Sequence, residues 1–374
     1  MVGKVRSANA LSVGDSLRYS RKVLYKGRVM PEALIFFVTS KCNAKCMHCF
    51  FWKSINQVKN ELTLDEIKKF SKNLPKFSHL FIGGGEPFLR RDLPEIIETF
   101  YRNNQLKSIS IPTNGILTKK IVRDIDRICS RNPGLRLIVD FSVDDLGAKH
   151  DGIRGVKGIF EKVLKSAGEI KKLKRFHRNL SLGIICVFNA KNQDSIYEIY
   201  DFIKRDIKPD SVSFALIRGN PRESACKLVD LNKYAKFCSF LKEEYKNCVF
   251  GGYNNQFISG FSNTLTEGVR RKVYETARKN KCLHPCYAAQ LIGTVYSNGD
   301  VHCCEVLPNK IGNLRDVDFK FEKVWFSKEA DKMREFIGKS KCFCTHECFM
   351  QINLLFNPKN LAELGYRHFR SMLK

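Results

Sequence analysis

Three features of the sequence predict an α/β fold. Short, apolar, β-rich runs alternate with helical patterns between residues 34 and 220. Six such strand–helix units predict a parallel sheet with helices outside it, too few to close an ordinary eight-stranded barrel. After Arg218 the alternation stops, and an Asn298-Gly299 turn between two β-rich runs predicts a hairpin.

In chain order, residues 1–33 form a basic lead-in. Leu17, Arg18, Tyr19, Arg21, Lys22, Val23 and Leu24 suit a short amphipathic helix, stopped by Gly27 and Pro31. Packing on the following domain is expected in preference to membrane contact. The strands are expected at 34–39, 80–83, 108–112, 135–141, 182–188 and 211–217, each short and apolar. The first helix opens on a capping box, Thr63-x-x-Glu66, and carries Ile67, Phe70 and Leu74 on one face. Further helices are expected over 93–103, 118–129, 158–174 and 195–205. Residues 221–281 read as mainly helical, with a Gly/Asn-rich interruption at 251–255. The hairpin strands are expected at 291–296 and from Val301 onward.

The 374 residues allow two domains and a large core. The start of the sequence shows no apolar signal region, and no apolar run is long enough to cross a bilayer. Fifteen cysteines then argue for a reducing compartment with thiols kept for metal, and a cytoplasmic location is expected. Cys129, Cys186, Cys226, Cys238 and Cys248 stand alone and read as small buried hydrophobes. The formal charge of +27 suggests an anionic partner. However, the densest runs, 171–175 and 270–272, lie in helical patterns, and no aromatic-interleaved basic motif appears. Solvated helix faces are therefore preferred to a nucleic-acid site.

The chemistry is concentrated at Cys42, Cys46 and Cys49, spaced C-x3-C-x2-C directly after the first strand. Three thiolates are ligands for three corners of an iron–sulfur cube, and the fourth iron stays open. Zinc sites prefer paired C-x2-C knuckles that close at four ligands. His48 is a fourth donor on paper. The triplet resembles the signature of the radical S-adenosylmethionine (SAM) enzymes, and two further motifs extend the resemblance. Gly83-Gly84-Gly85-Glu86 ends the second strand and looks like the family motif that contacts the SAM amino group. Pro112-Thr-Asn114-Gly and Phe141-Ser142-Val-Asp144 end the third and fourth strands at the same rim.

The resemblance implies a partial (β/α)6 TIM-type barrel for residues 34–220. It implies a [4Fe–4S] cluster on Cys42, Cys46 and Cys49, with SAM on the open iron. SAM contacts are implied for Gly84, Gly85, Glu86 and Asn114. Ser142 and Asp144 would meet the ribose, Arg154 the SAM carboxylate, and Leu216 the adenine. Arg218 could reach substrate.

The C-terminal region carries a second cysteine set around the hairpin: Cys286, Cys303, Cys304, Cys342, Cys344 and Cys348, with Cys282 just upstream. It is similar to the SPASM or shorter twitch extension of radical SAM enzymes. That similarity implies one auxiliary [4Fe–4S] cluster, on Cys286, Cys304, Cys344 and Cys348. Cys282, Cys303 and Cys342 are substitutes, and a structural zinc is the alternative.

The expected organisation is a lead-in (1–33), a radical SAM core (34–220), a helical connection (221–281) and an auxiliary-cluster region (282–374). The expected function is reductive cleavage of SAM to a 5′-deoxyadenosyl radical that abstracts hydrogen from a peptide, protein or small molecule. The electron donor would be a flavodoxin or ferredoxin. A nucleic-acid-modifying radical SAM enzyme and a non-catalytic metal-binding scaffold are the competing expectations.

Overall fold

The computed structural model describes residues 13–24, 28–247 and 256–372. Helix α1 (Val13–Leu24) leads into β1 (Ala33–Thr39), whose seven residues are all buried. Five helix–strand steps follow: α2 (Leu64–Lys72), β2 (His79–Gly84), α3 (Leu93–Asn104), β3 (Ser108–Thr113), α4 (Thr118–Arg131), β4 (Arg136–Ser142), α5 (Gly147–Arg154), α6 (Ile159–Leu173), β5 (Leu180–Phe188), α7 (Ile196–Phe202) and β6 (Ser211–Leu216). The capping box forms as expected, with Thr63 Oγ1 accepting from the Glu66 N–H and Glu66 accepting from the Thr63 N–H.

Helices α8 (Leu231–Asn247) and α9 (Gln256–Lys279) then lead to β7 (Ile292–Val295), β8 (Asp300–His302) and β9 (Lys310–Asn313). The chain closes with α10 (Phe321–Trp325), α11 (Lys328–Lys339), α12 (Glu347–Leu355) and α13 (Pro358–Met372). The sheet has nine strands in the order β6-β5-β4-β3-β2-β1-β7-β8-β9. Its two ends stay unjoined, so the barrel is partial.

The hairpin differs from expectation in one respect. Its first strand runs parallel beside β1, with Ala33 opposite Ile292 and Phe36 opposite Val295. One sheet therefore spans the boundary expected near residue 282. All of β7 is buried, as a strand flanked on both sides must be. The third strand, β9, and the short helix α5 were not anticipated. Four residues of strand around Gly312, and an eight-residue helix containing two glycines, carry too weak a periodic signal.

The outward face of the sheet holds the core. Leu137, Val139 and Phe141 of β4 are fully buried, as are Leu182 and Ile184 of β5 within 1 %. Burying each such side chain contributes about 1.5–3 kcal/mol. The alternate residues, Arg136, Ile138 and Asp140, line the concave face and are only partly enclosed. Below β1, Glu32 accepts from Arg18 Nη2 (2.9 Å) and Lys22 Nζ (2.6 Å), which seats α1 on the barrel floor. The expected lead-in helix thus packs on the domain. Its expected stop at Gly27 lies outside the described residues, as does the interruption at 251–255. At the edge strand β6, side chains pack against α8 and α12. Phe214 packs on Phe237 with ring centroids 4.8 Å apart, and Ser213 Oγ donates to Glu347 Oε2 at 3.1 Å.

Candidate metal and cofactor centre

The loop after β1 is held from four sides. Glu86 N–H donates to Lys41 O (2.7 Å) and Gly85 N–H to Thr39 O (2.9 Å). From α5, the carbonyls of Arg154 and Ile153 accept from Lys45 N–H (3.0 Å) and Met47 N–H (2.9 Å). The segment after β6 contributes Arg222 N–H to Cys49 O (3.1 Å) and Glu223 N–H to Met47 O (2.9 Å). The Asn56 side chain closes the loop on itself, accepting from Cys42 N–H (3.0 Å) and donating to Cys42 O (3.1 Å). The approach of β2 needs its glycines. A Cβ on Gly84 would stand against the Thr39 carbonyl, and one on Gly85 against that of Lys41.

The three thiols of this loop lie close enough to act on one another. Burial pushes Cys42 up to about 12 and Cys49 up to about 11, and each is raised further by neighbouring thiols. Each sulfur also has one N–H donor. Cys42 accepts from the Ala44 backbone, Cys49 from the Phe51 backbone, and Cys46 from Arg154 Nη1 at 3.6 Å. Such donors stabilise thiolate sulfur on a metal. His48 turns away: its Nε2 lies 3.7 Å from Asp144 Oδ2, and burial lowers its pKa to about 4. Three thiols with prepared donors, and no fourth protein ligand among the described residues, fit an iron–sulfur cube with one open corner. Among the described residues no three Cys, His, Asp or Glu side chains close to single-ion coordination. A cube that takes one thiolate per corner does not require that.

The expected SAM contacts gather at this rim, but two of them meet each other. Asp144 is fully buried and accepts from Arg154 Nε (2.6 Å) and Nη2 (2.5 Å), while its other oxygen accepts from Val187 N–H (2.8 Å). Burial alone would raise the Asp144 pKa, and the Arg154 guanidinium overrides that and holds it low. The fork expected on the SAM carboxylate is thus formed inside the protein, and the carboxylate expected at the ribose is enclosed. The cause is a buried arginine needing a counter-charge.

Glu86 is 2 % exposed and accepts from Thr113 Oγ1 (2.9 Å), Asn114 N–H (2.8 Å) and Phe88 N–H (3.2 Å). Burial nevertheless pushes its pKa up to about 7. Asn114 Nδ2 donates to Asn43 Oδ1 at 2.7 Å, joining the end of β3 to the cysteine loop. Ser142 and Leu216 stand at the ends of β4 and β6, both buried. A cavity of about 540 Å³ opens beside the loop, walled by Cys42, Asn43, Trp52, Lys53, Gly155 and Arg222 among others.

The second cysteine set converges on four thiols. Cys286, Cys304, Cys342 and Cys344 each lie near the other three, close enough to raise one another's pKa. Cys286 accepts from Ala288 N–H, Cys344 from His346 N–H, and Cys304 from Leu307 N–H at 3.3 Å. Cys348 looks elsewhere. Burial raises it to about 12, and the charges that act on it are Arg218, Glu305, Glu347 and Asp140. Of the four thiols expected from sequence, Cys286, Cys304 and Cys344 thus lie together with Cys342, and Cys348 lies apart. Cys348 is the second residue of α12, close enough to the sheet for Asp140 of β4 to act on it. Cys282 lies near Cys342 and donates to His284 O at 3.2 Å, and Cys303 is fully buried.

Sequence reasoning named Arg218 at this place but missed the groups around it that lie between the two cysteine sets. Glu305 contacts the His346 ring and lies 3.4 Å from Arg218 Nη2. Arg218 in turn lies over the Phe50 ring at 4.9 Å. Tyr296 stacks on Phe51 with centroids 5.8 Å apart. The available signal was position: Glu305 follows Cys304, and His346 sits between Cys344 and Cys348. Deeper on the concave face, Asp140 has no hydrogen-bond partner among the described residues. Its pKa rises to about 7 through burial.

Residues 36–203 match the profile of the Radical SAM superfamily. An Fe-coproporphyrin III synthase of Methanosarcina barkeri (strain Fusaro / DSM 804) is 26% identical over 58% of this chain and 52% of its own length. The chain thus spans about half the length of that relative. An AdoMet-dependent heme synthase of the same organism is 24% identical, covering 80% of this chain and 83% of the relative. Among solved structures, anSMEcpe with bound AdoMet and Cp18Cys peptide superposes with a TM-score of 0.57 at 18% identity, over 92% of this chain and 97% of that one. At that identity the likeness is one of fold.

Proposed function

We propose that this chain, which carries a radical SAM superfamily domain in residues 36–203, is an enzyme that cleaves SAM reductively and uses the resulting radical on an organic substrate. The observation that carries this reading is the Cys42/Cys46/Cys49 loop, with an N–H donor on each sulfur and no fourth protein ligand among the described residues. When bound there, a [4Fe–4S] cluster with SAM on its open iron supplies one electron to the sulfonium and so a 5′-deoxyadenosyl radical able to take hydrogen from a C–H bond.

The chain's own residues hold and shield that chemistry. Gly84 and Gly85 bring backbone close to where SAM would lie, and Glu86 fixes the ends of β2 and β3 through Thr113 and Asn114. Ser142 offers its hydroxyl to the ribose, and Leu216 gives the adenine an apolar wall. Phe37, Phe51 and Tyr296 form an aromatic side to the concave face. Arg218, Glu305, His346 and Asp140 form its polar side. The substrate lies between these walls, in reach of both cysteine sets.

The second set, Cys286, Cys304, Cys342 and Cys344, holds one auxiliary [4Fe–4S] cluster. A metal that joins segments 286, 304 and 342–344 also ties this region to the sheet, because metal binding adds directly to folding stability. A low-potential carrier such as a flavodoxin or ferredoxin supplies the electron.

The test uses anaerobically purified, iron-reconstituted protein. Cys42, Cys46 and Cys49 are changed together to Ala, and 5′-deoxyadenosine is measured after reduction with SAM. We expect its formation to be abolished while about four irons remain, as one cluster implies. Undiminished cleavage in that variant would remove the assignment. Stoichiometric zinc with almost no iron would replace the auxiliary cluster with a structural zinc site.

A further inference from the structure

The densest basic run in the sequence takes no part in the cysteine chemistry. Residues 171–178 read Lys-Lys-Leu-Lys-Arg-Phe-His-Arg, without one acidic residue. A solvated helix face accounts for Lys171 and Lys172, but α6 ends at Leu173. The rest of the run forms the turn that leads into β5. On it Phe176 is 81 % exposed, the most exposed large hydrophobic side chain among the described residues. The turn is anchored on both flanks. Lys171 Nζ donates to Ile207 O (3.3 Å) and Lys174 bonds Asp210, both ahead of β6. Asn179 Nδ2 donates to Asn132 O (3.0 Å) and Leu135 O (3.1 Å), ahead of β4. The carboxylates that reach the turn, Asp126 and Asp210, are engaged by His177 and Lys174. Arg175, Arg178 and, on the neighbouring loop, Lys208 are exposed and make no ion pair among the described residues.

We propose that this turn docks on an anionic membrane surface, with Phe176 entering the boundary between headgroups and acyl chains and Arg175, Arg178 and Lys208 meeting lipid phosphates. An exposed apolar ring among cations free of carboxylates suits such a boundary: the charges draw the protein in and the ring holds it there. The formal charge of +27 adds attraction at longer range. On the same floor of the barrel, α1 ends in Leu24, a second apolar side chain at 80 % exposure. A single-stranded nucleic acid is held instead by a groove with several stacking rings, whereas this turn presents one protruding ring. The turn precedes β5, and the cysteine loop follows β1. In a parallel sheet these are opposite ends. Docking therefore turns the cysteine centre and the barrel mouth away from the membrane, open to substrate.

The experiment uses the full-length, anaerobically reconstituted protein and vesicles of phosphatidylcholine, with or without an equal part of phosphatidylglycerol. Co-sedimentation should show binding to the anionic vesicles only, weakened by salt. Phe176→Ser should lower the affinity about tenfold or more. Arg175→Glu/Arg178→Glu should lower it at least as much, and both variants should keep the wild-type melting temperature. The control is Lys328→Glu/Lys332→Glu, the same charge change on α11, which packs on β9 at the far edge of the sheet. A loss in the control equal to that in the arginine variant would show that the overall charge binds the vesicles, and would reject the proposal. So would the absence of binding, or Phe176→Ser binding as tightly as wild type. Insertion is read separately with Phe176→Trp. Brominated acyl chains should quench its fluorescence beyond that of wild type, which has two tryptophans of its own. A ring that escapes quenching would lie outside the bilayer and overturn the assignment. Transfer RNA that displaces the vesicles at physiological salt, and needs Phe176 to bind, would make the partner a nucleic acid instead.

Discussion

Asp140 and Gly183 face each other across β4 and β5, and the Asp140 carboxylate occupies the space that a side chain at 183 would fill. Ser211 continues the same row on β6. A charged group in mid-strand, without a hydrogen-bond partner among the described residues, is costly unless it stays neutral or meets a ligand. Burial accordingly raises its pKa from 3.8 to about 7.

The stability of the protein should therefore carry a pH signature from Asp140. Between about pH 4 and 7 the folded state holds a proton that the unfolded state has lost, so stability falls as pH rises and levels off above 7. Asp140→Asn lacks this loss. Its stability advantage over wild type should be near zero at pH 4 and full at pH 8. The upper bound is on the order of 4 kcal/mol at 1.36 kcal/mol per unit. The value should be smaller because the carboxyl is partly open to the concave face. Urea unfolding of both proteins at the two pH values checks it, and a pH-independent difference would refute the assignment.

Asp144→Ala should cost about 3–5 kcal/mol, because it leaves the buried Arg154 charge without its counter-charge. The double variant Asp144→Ala/Arg154→Met should lose less than Asp144→Ala alone, since no buried charge then remains. Anaerobic denaturant titrations of wild type, Asp144→Ala, Arg154→Met and the double variant measure the coupling. Additive losses would show that the pair is not coupled.

Iron content should separate the two readings of the second cysteine set. Cys342→Ala, added to the Cys42/Cys46/Cys49 triple variant, should lose the remaining cluster. Cys348→Ala in the same background should keep about four irons. The opposite pattern would restore Cys348 as the ligand.

Glu86→Ala should weaken the rim before it affects iron. It leaves the Thr113 hydroxyl and the Asn114 N–H without their acceptor, at about 1–3 kcal/mol each group buried. Ser142→Ala should reduce SAM affinity by the worth of one neutral hydrogen bond, about 0.5–1.5 kcal/mol. Calorimetry with SAM on reconstituted protein distinguishes them: Ser142→Ala shifts affinity alone, and Glu86→Ala shifts affinity together with melting temperature.

Much of this was legible in the sequence. The six strands fall within two residues of their expected bounds, because each is a short β-rich run bounded by helical patterns or loops. The cysteine loop and the Gly-Gly-Gly-Glu turn were readable because their spacing is local. What escaped was long-range. The pairing of Asp144 with Arg154 depends on α5 folding back over the loop. The separation of Cys348 from the other thiols depends on the placement of α12. The joining of β7 to β1 depends on a crossover through more than 200 intervening residues. None of these leaves a periodic trace.

The stitching of the cysteine loop also constrains when the protein can acquire its metal. Met47 and Cys49 accept from Glu223 and Arg222, and Lys45 and Met47 donate to Arg154 and Ile153. The geometry of residues 42–49 is therefore incomplete until residue 223 has been synthesised and β6 has docked. On a ribosome that emits the chain from its N-terminus, the three ligands appear early but remain an unshaped peptide. Iron–sulfur delivery then belongs after translation of the barrel, and a truncation ending before residue 222 should bind its cluster weakly or not at all.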